Sequence, residues 1–242
     1  MTAPDPCAAL VRDRDRDRYL ATLYAPAEVR PALFALHALD LELAAVVATT
    51  TEAMLGEIRL AWWREALARL DTAPPPAQPV LAALAASALP LGVKGQALEP
   101  LEDAFLSLLL DERLSGAALD AHLDRRGGTL FGACATALGV AQPSARALGR
   151  VWALGQLVAP VVGSKVGPSV DATDAVRIAG EALPLKLAPA LRPLAALTGF
   201  AARDVARVFG RDAGAGAGVV ARPVAGSIAR QARMLWRVTT GR

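Results

Sequence analysis

An all-α, single-domain bundle is the fold class this sequence predicts, and three observations predict it. Alanine is abundant while aromatics make up only 5% of the chain, which favours closely packed helices over a sheet of aromatic and β-branched residues. Apolar residues recur at helical spacing, as in Leu33, Leu36, Leu43 and Val47. At 242 residues and 54% hydrophobic, the chain can build one sizeable core across residues 1–242.

The elements follow in order. The alternation Arg12-Asp-Arg-Asp-Arg-Asp-Arg18 suits a solvated helix start rather than a binding arm. Pro31 fits the first turn of a helix that continues through the forties. A second helix is expected from about Thr51 to Leu70, closed by Asp71 and the proline-rich connector 73–79, Ala73-Pro-Pro-Pro-Ala-Gln-Pro79. Further helices are expected near 80–90, 94–110, 115–124, 127–139, 144–162, 172–182, 186–209 and 222–239. Residues 210–221 predict a flexible Gly/Ala loop. Its Gly214-Ala-Gly-Ala-Gly218 lacks the spacing, preceding strand and lysine of a phosphate loop.

The formal charge of +3 is unevenly spread. From Arg203 onward eight arginines face only Asp204 and Asp212, a balance suited to an anionic membrane or an acidic partner, or to a solvated face. No recognition motif accompanies these arginines, which argues against nucleic acid. Cys7 and Cys134 are too few for a disulfide framework and indicate a reducing compartment, with Cys134 expected as a small core residue. Asp13, Asp15 and Asp17 do not suit a secretory signal or a transit peptide. The longest uncharged stretch, Thr72–Val93, holds five prolines and is no regular spanning helix. The expected location is cytoplasmic, with peripheral membrane contact a further expectation.

Other candidates have bland readings. His37 and His122 have no cysteine or histidine at ligand spacing, so no zinc site is assigned. Asp120 and Asp124 are read as a salt-bridging surface, and Asp171 as a helix cap beside Asp174. Adjacent Trp62 and Trp63 point about 100° apart on a helix, so one can enter the core while the other faces outward.

Three segments carry a family likeness: Asp15-Arg-Asp-Arg-Tyr-Leu-Ala-Thr-Leu-Tyr-Ala-Pro26, Arg30-Pro-Ala-Leu-Phe-Ala-Leu-His-Ala-Leu-Asp-Leu-Glu-Leu-Ala44 and Gly56-Glu-Ile-Arg-Leu-Ala-Trp-Trp-Arg-Glu-Ala-Leu67. Together they resemble the opening helices of the squalene/phytoene synthase family, which implies an isoprenoid-synthase-type helical bundle. Enzymes of that family ionise allylic diphosphates with magnesium held by two aspartate-rich motifs, because hard cations want carboxylate oxygens. Aligning Leu36-His37-Ala38-Leu39 with the family's apolar-aromatic run puts the first motif at Ala44-Ala45-Val46-Val47-Ala48. Slipped by one turn, Asp40 takes the first acidic position, and its i+4 partner is Ala44. The second motif resembles Leu148–Ser164, with Gln156 at the amide position, Ala159 at the arginine, and Pro160 and Ser164 at the two aspartates.

The likeness is greatest to a non-catalytic branch of the family that includes a mitochondrial complex I assembly factor. It implies a binding or assembly protein without either aspartate-rich motif, acting on a protein partner or a hydrophobic lipid or isoprenoid ligand. The alternative is an active prenyltransferase with displaced ligands, and only then is magnesium expected as a cofactor. No catalytic residue or metal ligand is assigned. Candidates for a vestigial pocket are His37, Asp40, Ala44, Ala48, Trp63, Arg64, Gln156, Pro160 and Ser164. A pocket reduced by apolar packing is expected, with interaction moved to Arg222–Arg242. There Arg230, Arg233 and Arg237 are expected to form a basic outer face beside Ile228, Gln231, Leu235 and Val238.

Overall fold

A computed structural model describes residues 5–111, 113–140, 143–158, 169–180, 187–209 and 227–240. Among these the chain is helical throughout, apart from turns and one short parallel pairing. That pairing joins β1 (Arg113–Leu114) to β2 (Ser169–Val170). The Gly214–Gly218 run lies outside the described residues.

The N-terminus departs from its expected form. Asp5 caps α1 (Pro6–Arg14) by accepting from the amides of Cys7 and Ala8. The helix then breaks at Asp15, whose side chain accepts from the amide of Arg18 and so starts α2 (Arg16–Thr22). Asp15, Asp17 and Arg18 are buried while Arg12, Asp13, Arg14 and Arg16 are exposed, so the alternating run is solvated on one side only. A charged repeat looks exposed in one dimension; a capped break in the middle turns one side of it inward.

Helix α3 (Arg30–Thr49) is the axis of the bundle. Pro31 sits in its first turn, twelve of its residues are buried, and it packs on α1, α2, α4, α5, α6 and α8. Length and apolarity would let α3 cross a membrane, yet 67% of its most apolar window is covered by the other helices. Helix α4 (Ala53–Arg69) follows, with Trp63 buried and Trp62 exposed, the two rings meeting edge-on at 5.3 Å. Beyond it Asp71 accepts from the amides of Gly95 and Gln96, so the residue that ends α4 also anchors the far side of the proline connector.

The expected helix near 80–90 is mixed. It comprises α5 (Pro79–Ala83), a π turn (Leu84–Ala88) and a 3₁₀ turn (Leu89–Leu91), ending at Gly92 with φ +88°. A 3₁₀ turn (Gln96–Leu98) then leads into α6 (Pro100–Leu110). Helices α7 (Gly116–Leu123) and α8 (Thr129–Ala137) form one broken rod joined by a π turn, Asp124–Gly128. Helix α9 (Pro143–Val158) crosses that turn with backbone against backbone. A Cβ on Gly127 would lie 1.9 Å from the carbonyl oxygen of Gly149, so only glycine permits the approach. One turn further along α9, Trp152 stacks on Phe131 at 5.1 Å.

Helices α10 (Ala172–Ala179), α11 (Arg192–Phe209) and α12 (Ile228–Thr240) complete the bundle. Asp171 caps α10 as expected, accepting from the amides of Thr173 and Asp174, and Asp174 in turn accepts from the amide of Gly116. Asp120 and Asp124 both pair with Arg150 at the surface. The largest helix–helix contact is α9 on α11, where buried Thr198 donates to the carbonyl of Leu148 at 3.0 Å. One hydrophobic cluster runs from Cys7 to Met234 and contains Cys134, fully buried as expected.

The close crossing yields a paired expectation. Gly127→Ala should destabilise the fold by on the order of 3 kcal/mol, because backbone must move. At Gly132 on α8 the nearest atoms to a Cβ are 3.6 Å away. Gly132→Ala should therefore be neutral or raise stability by up to about 1 kcal/mol through helix propensity. Denaturant unfolding of the two variants checks both, and equal midpoints would reject the crossing.

Candidate functional site

The helix ends and the π turn converge on one carboxylate. Asp40, halfway along α3, has no exposed surface. Its Oδ2 accepts from Arg18 Nη1 at 2.8 Å and from Arg126 Nη2 at 3.2 Å, while Oδ1 accepts from Arg126 Nε at 2.9 Å. Arg18 reaches back from α2 to Asp15, donating through Nε at 2.7 Å. Two carboxylates and two guanidiniums thus close a neutral network, which is the condition for burying so much charge.

Aromatic faces roof the network. Arg18 lies 5.2 Å above the Trp152 ring, and Arg126 lies 4.7 Å from Phe105 and 5.6 Å from Trp152. The Arg126 side chain comes from the π turn, on the buried side that it shares with Gly127 and Gly128. Burial alone would raise the Asp40 pKa, but Arg126 and Arg18 outweigh it and bring it down to about 2. Burial likewise disfavours the charged form of Arg18, and Asp15 and Asp40 hold its pKa above the ordinary value. His37, one turn before Asp40, is pushed down to about 3 by burial and by Arg18. His122 on α7 is also brought to about 3, by burial and Arg126. Its Nδ1 lies 3.0 Å from the carbonyl of Ala104, which can only accept, so the neutral ring carries its proton there.

This arrangement is poor ground for metal or acid–base chemistry. A divalent cation at Asp40 would meet two guanidiniums already bound to both oxygens, and a carboxylate of that pKa without solvent access is no proton carrier. Among the described residues, no group of three or more His, Cys, Asp or Glu could hold a metal ion.

The other candidates are dispersed. Ala44 and Ala48 are half-buried further along α3. Trp63 belongs to the core, whereas exposed Arg64 reaches Glu102 at 3.6 Å. There burial raises the Glu102 pKa against the opposing pull of Arg64. Gln156 on α9 is half-buried with an enclosed, unpartnered Oε1. Pro160 and Ser164 lie outside the described residues. Sequence reasoning missed Asp15, Arg18, Phe105, Arg126 and Trp152. One signal was present: Arg126 falls on the helical stripe of Leu119, Leu123, Leu130 and Cys134, where an arginine must be paired.

The C-terminal helix corrects the expected basic outer face. Arg230 turns inward, bonding Asp17 at 2.8 Å and Asp204 at 3.0 Å. Arg237 also turns inward. It donates to the Ala195 carbonyl at 3.1 Å and lies in a notch at Gly199, where a Cβ would strike its guanidinium. Only Arg233 of the three is exposed; Ile228, Leu235 and Trp236 are the residues that face out. Helical spacing identified the two faces but not which one would find partners. Asp17 and Asp204 supply them.

Comparison with known proteins gives two findings. A family model described as squalene/phytoene synthase matches residues 11–161. Over 74 residues, 31% of this chain, the sequence is 39% identical to the human protein named NADH dehydrogenase (ubiquinone) complex I, assembly factor 6. The proteins of that name from Bos taurus and Rattus norvegicus are 38% and 39% identical over the same length. The match spans only 22% of the length of each of these relatives.

The buried histidines and Asp40 set an acid dependence. The folded state keeps both imidazoles neutral from their ordinary value of 6.5 down to about 3, while the unfolded chain takes up protons in that window. Stability therefore falls as pH falls, by up to roughly 1.4 kcal/mol per pH unit for each histidine. Asp40 adds a further loss from its ordinary 3.8 down to about 2. His37→Phe should remove about half of the stability slope between about pH 6 and about pH 5 in urea unfolding. An unchanged slope would mean that His37 is already charged in the fold. Asp40→Ala should cost about 3–5 kcal/mol by stranding Arg18 and Arg126.

Proposed function

The chain belongs to the squalene/phytoene synthase family, and from that premise we propose that it is a non-catalytic member which has given up both aspartate-rich motifs and works as a binding or assembly protein. The observation that carries this reading is the occupation of Asp40. It is the only buried acid on α3, and Arg18 and Arg126 bind both of its oxygens. The positions that follow at helical spacing are Ala44 and Ala48. At the second motif Pro160 and Ser164 stand where ligands are needed, and neither can replace a carboxylate.

The residues present do not fit a magnesium site. Each ion in such a site needs several oxygen donors, and a diphosphate brought here would meet buried guanidiniums already neutralised by Asp15 and Asp40. Synthase chemistry through this centre is therefore not part of the proposal. What remains is a rigid helical scaffold with its centre tied shut, leaving its outer surface to act.

The role we assign is assembly of respiratory complex I, by contact with a protein or lipid partner at the membrane periphery from the cytoplasmic side. Support comes from the local likeness to proteins named for that assembly. Two measurements test it. Purified protein with labelled farnesyl or geranylgeranyl diphosphate and Mg²⁺ should give no C30 or C40 product above a protein-free control; clear product would instead establish an active prenyltransferase with displaced ligands. Deleting the gene in its host should lower the amount of assembled complex I, and an unchanged amount would reject the assembly role.

A further inference from the structure

Between α11 and α12 lies a cleft of about 90 Å³, lined by Arg203, Arg207, Arg230 and Arg233 with Ser227 and Asp204. Its charge is lopsided. Asp204 shares its oxygens between Arg230 at 3.0 Å and Arg207 at 3.6 Å, and Arg230 is completed by Asp17. No carboxylate among the described residues pairs with Arg203. Its guanidinium rests over Phe200 at 5.3 Å, and its enclosed Nη2 has no hydrogen-bond partner. Burial and the neighbouring Arg237, Arg233 and Arg230 lower its pKa. A cluster that repels itself in this way gains stability from an added anion.

The outer face of α12 borders this cleft. At 100° per residue, Ile228, Ala229, Ala232, Leu235, Trp236 and Thr239 fall within about one third of the helix circumference. All six are exposed and none carries charge. Ile228 is 85% exposed, and Leu235 and Trp236 are each more than half exposed. Arg233 marks the border between this face and the cleft. The helix is no loose tail: Arg192 donates to the carbonyls of Val238 and Thr239, and Arg237 is locked in the Gly199 notch. A fixed helix exposing an apolar row with tryptophan, beside an under-neutralised arginine cleft, has the make-up of a membrane-surface helix.

We propose that α12 seats this protein on an anionic phospholipid membrane, with Ile228, Leu235 and Trp236 entering the headgroup–acyl boundary and the cleft at Arg203 and Arg207 taking a lipid phosphate. This rests on the assembly reading only for placing the protein at a membrane, and it survives if that role fails. The full chain is sedimented with vesicles of phosphatidylcholine alone or mixed with phosphatidylglycerol. Binding should require the anionic lipid and weaken with salt. Arg203→Gln with Arg207→Gln, which leaves the Asp17–Arg230–Asp204 bridge in place, should weaken it roughly tenfold or more. Leu235→Ser with Trp236→Ser should do likewise without lowering the unfolding midpoint.

Three sedimentation outcomes overturn the proposal: wild-type protein that stays in the supernatant, binding indifferent to lipid charge, or binding that survives the Leu235/Trp236 pair. Thermal stabilisation by inorganic phosphate that depends on Arg203 and Arg207, with no vesicle binding, would assign the cleft to a soluble phosphate compound and equally overturn the membrane assignment. None of these readouts depends on diphosphate turnover or on complex I content.

Discussion

The bundle is organised around a charge that cannot be reached by water. Burying Asp40 in the middle of the longest helix would be prohibitive alone, and two guanidiniums are acceptable beside it only because Asp15 supplies the second negative charge. Meeting that demand fixes distant parts of the chain. Helix α1 must end at Asp15 so that α2 presents Arg18, the turn between α7 and α8 must keep Arg126 on its buried side, and α9 must come close enough through Gly149 for Trp152 to cover both cations. Apolar packing alone would have allowed several arrangements of alanine-rich helices. Hydrogen-bonded charges in one place favour this one.

The same centre limits what Asp40 itself can do. An enzyme that ionises a diphosphate needs acids facing water and metal, whereas here a carboxylate faces arginines and aromatic rings. Positive charge at the centre is supplied by residues that cannot leave.

Most of the helices could be read from the sequence because their signals are local. Pro31 at a helix start, Asp171 as a cap and the outward and inward tryptophans of α4 all follow from neighbours a few residues away. The charged centre could not be read that way. Arg18 looks like one member of an alternating run, and Arg126, though it falls on an apolar stripe, gives no local sign of its partner, since Asp40 lies 22 and 86 residues away from them. The π turns were equally hidden, because one residue of extra winding leaves hydrophobic spacing almost unchanged. On α12 the periodicity gave both faces correctly and the inside–outside assignment wrongly, for the acids that pull Arg230 inward come from α2 and α11.

The bond between Arg230 and Asp17 also has a meaning in time. These residues are 213 apart, and the second lies near the start of the chain. During synthesis the first two helices emerge long before the helix that braces them. Helix α3 follows α2 closely, whereas the brace on α2 emerges 213 residues after Asp17. Until residue 230 has emerged, Asp17 and Asp204 lack the guanidinium that ties α2 to α11, so this side of the bundle can close only once α12 has been made.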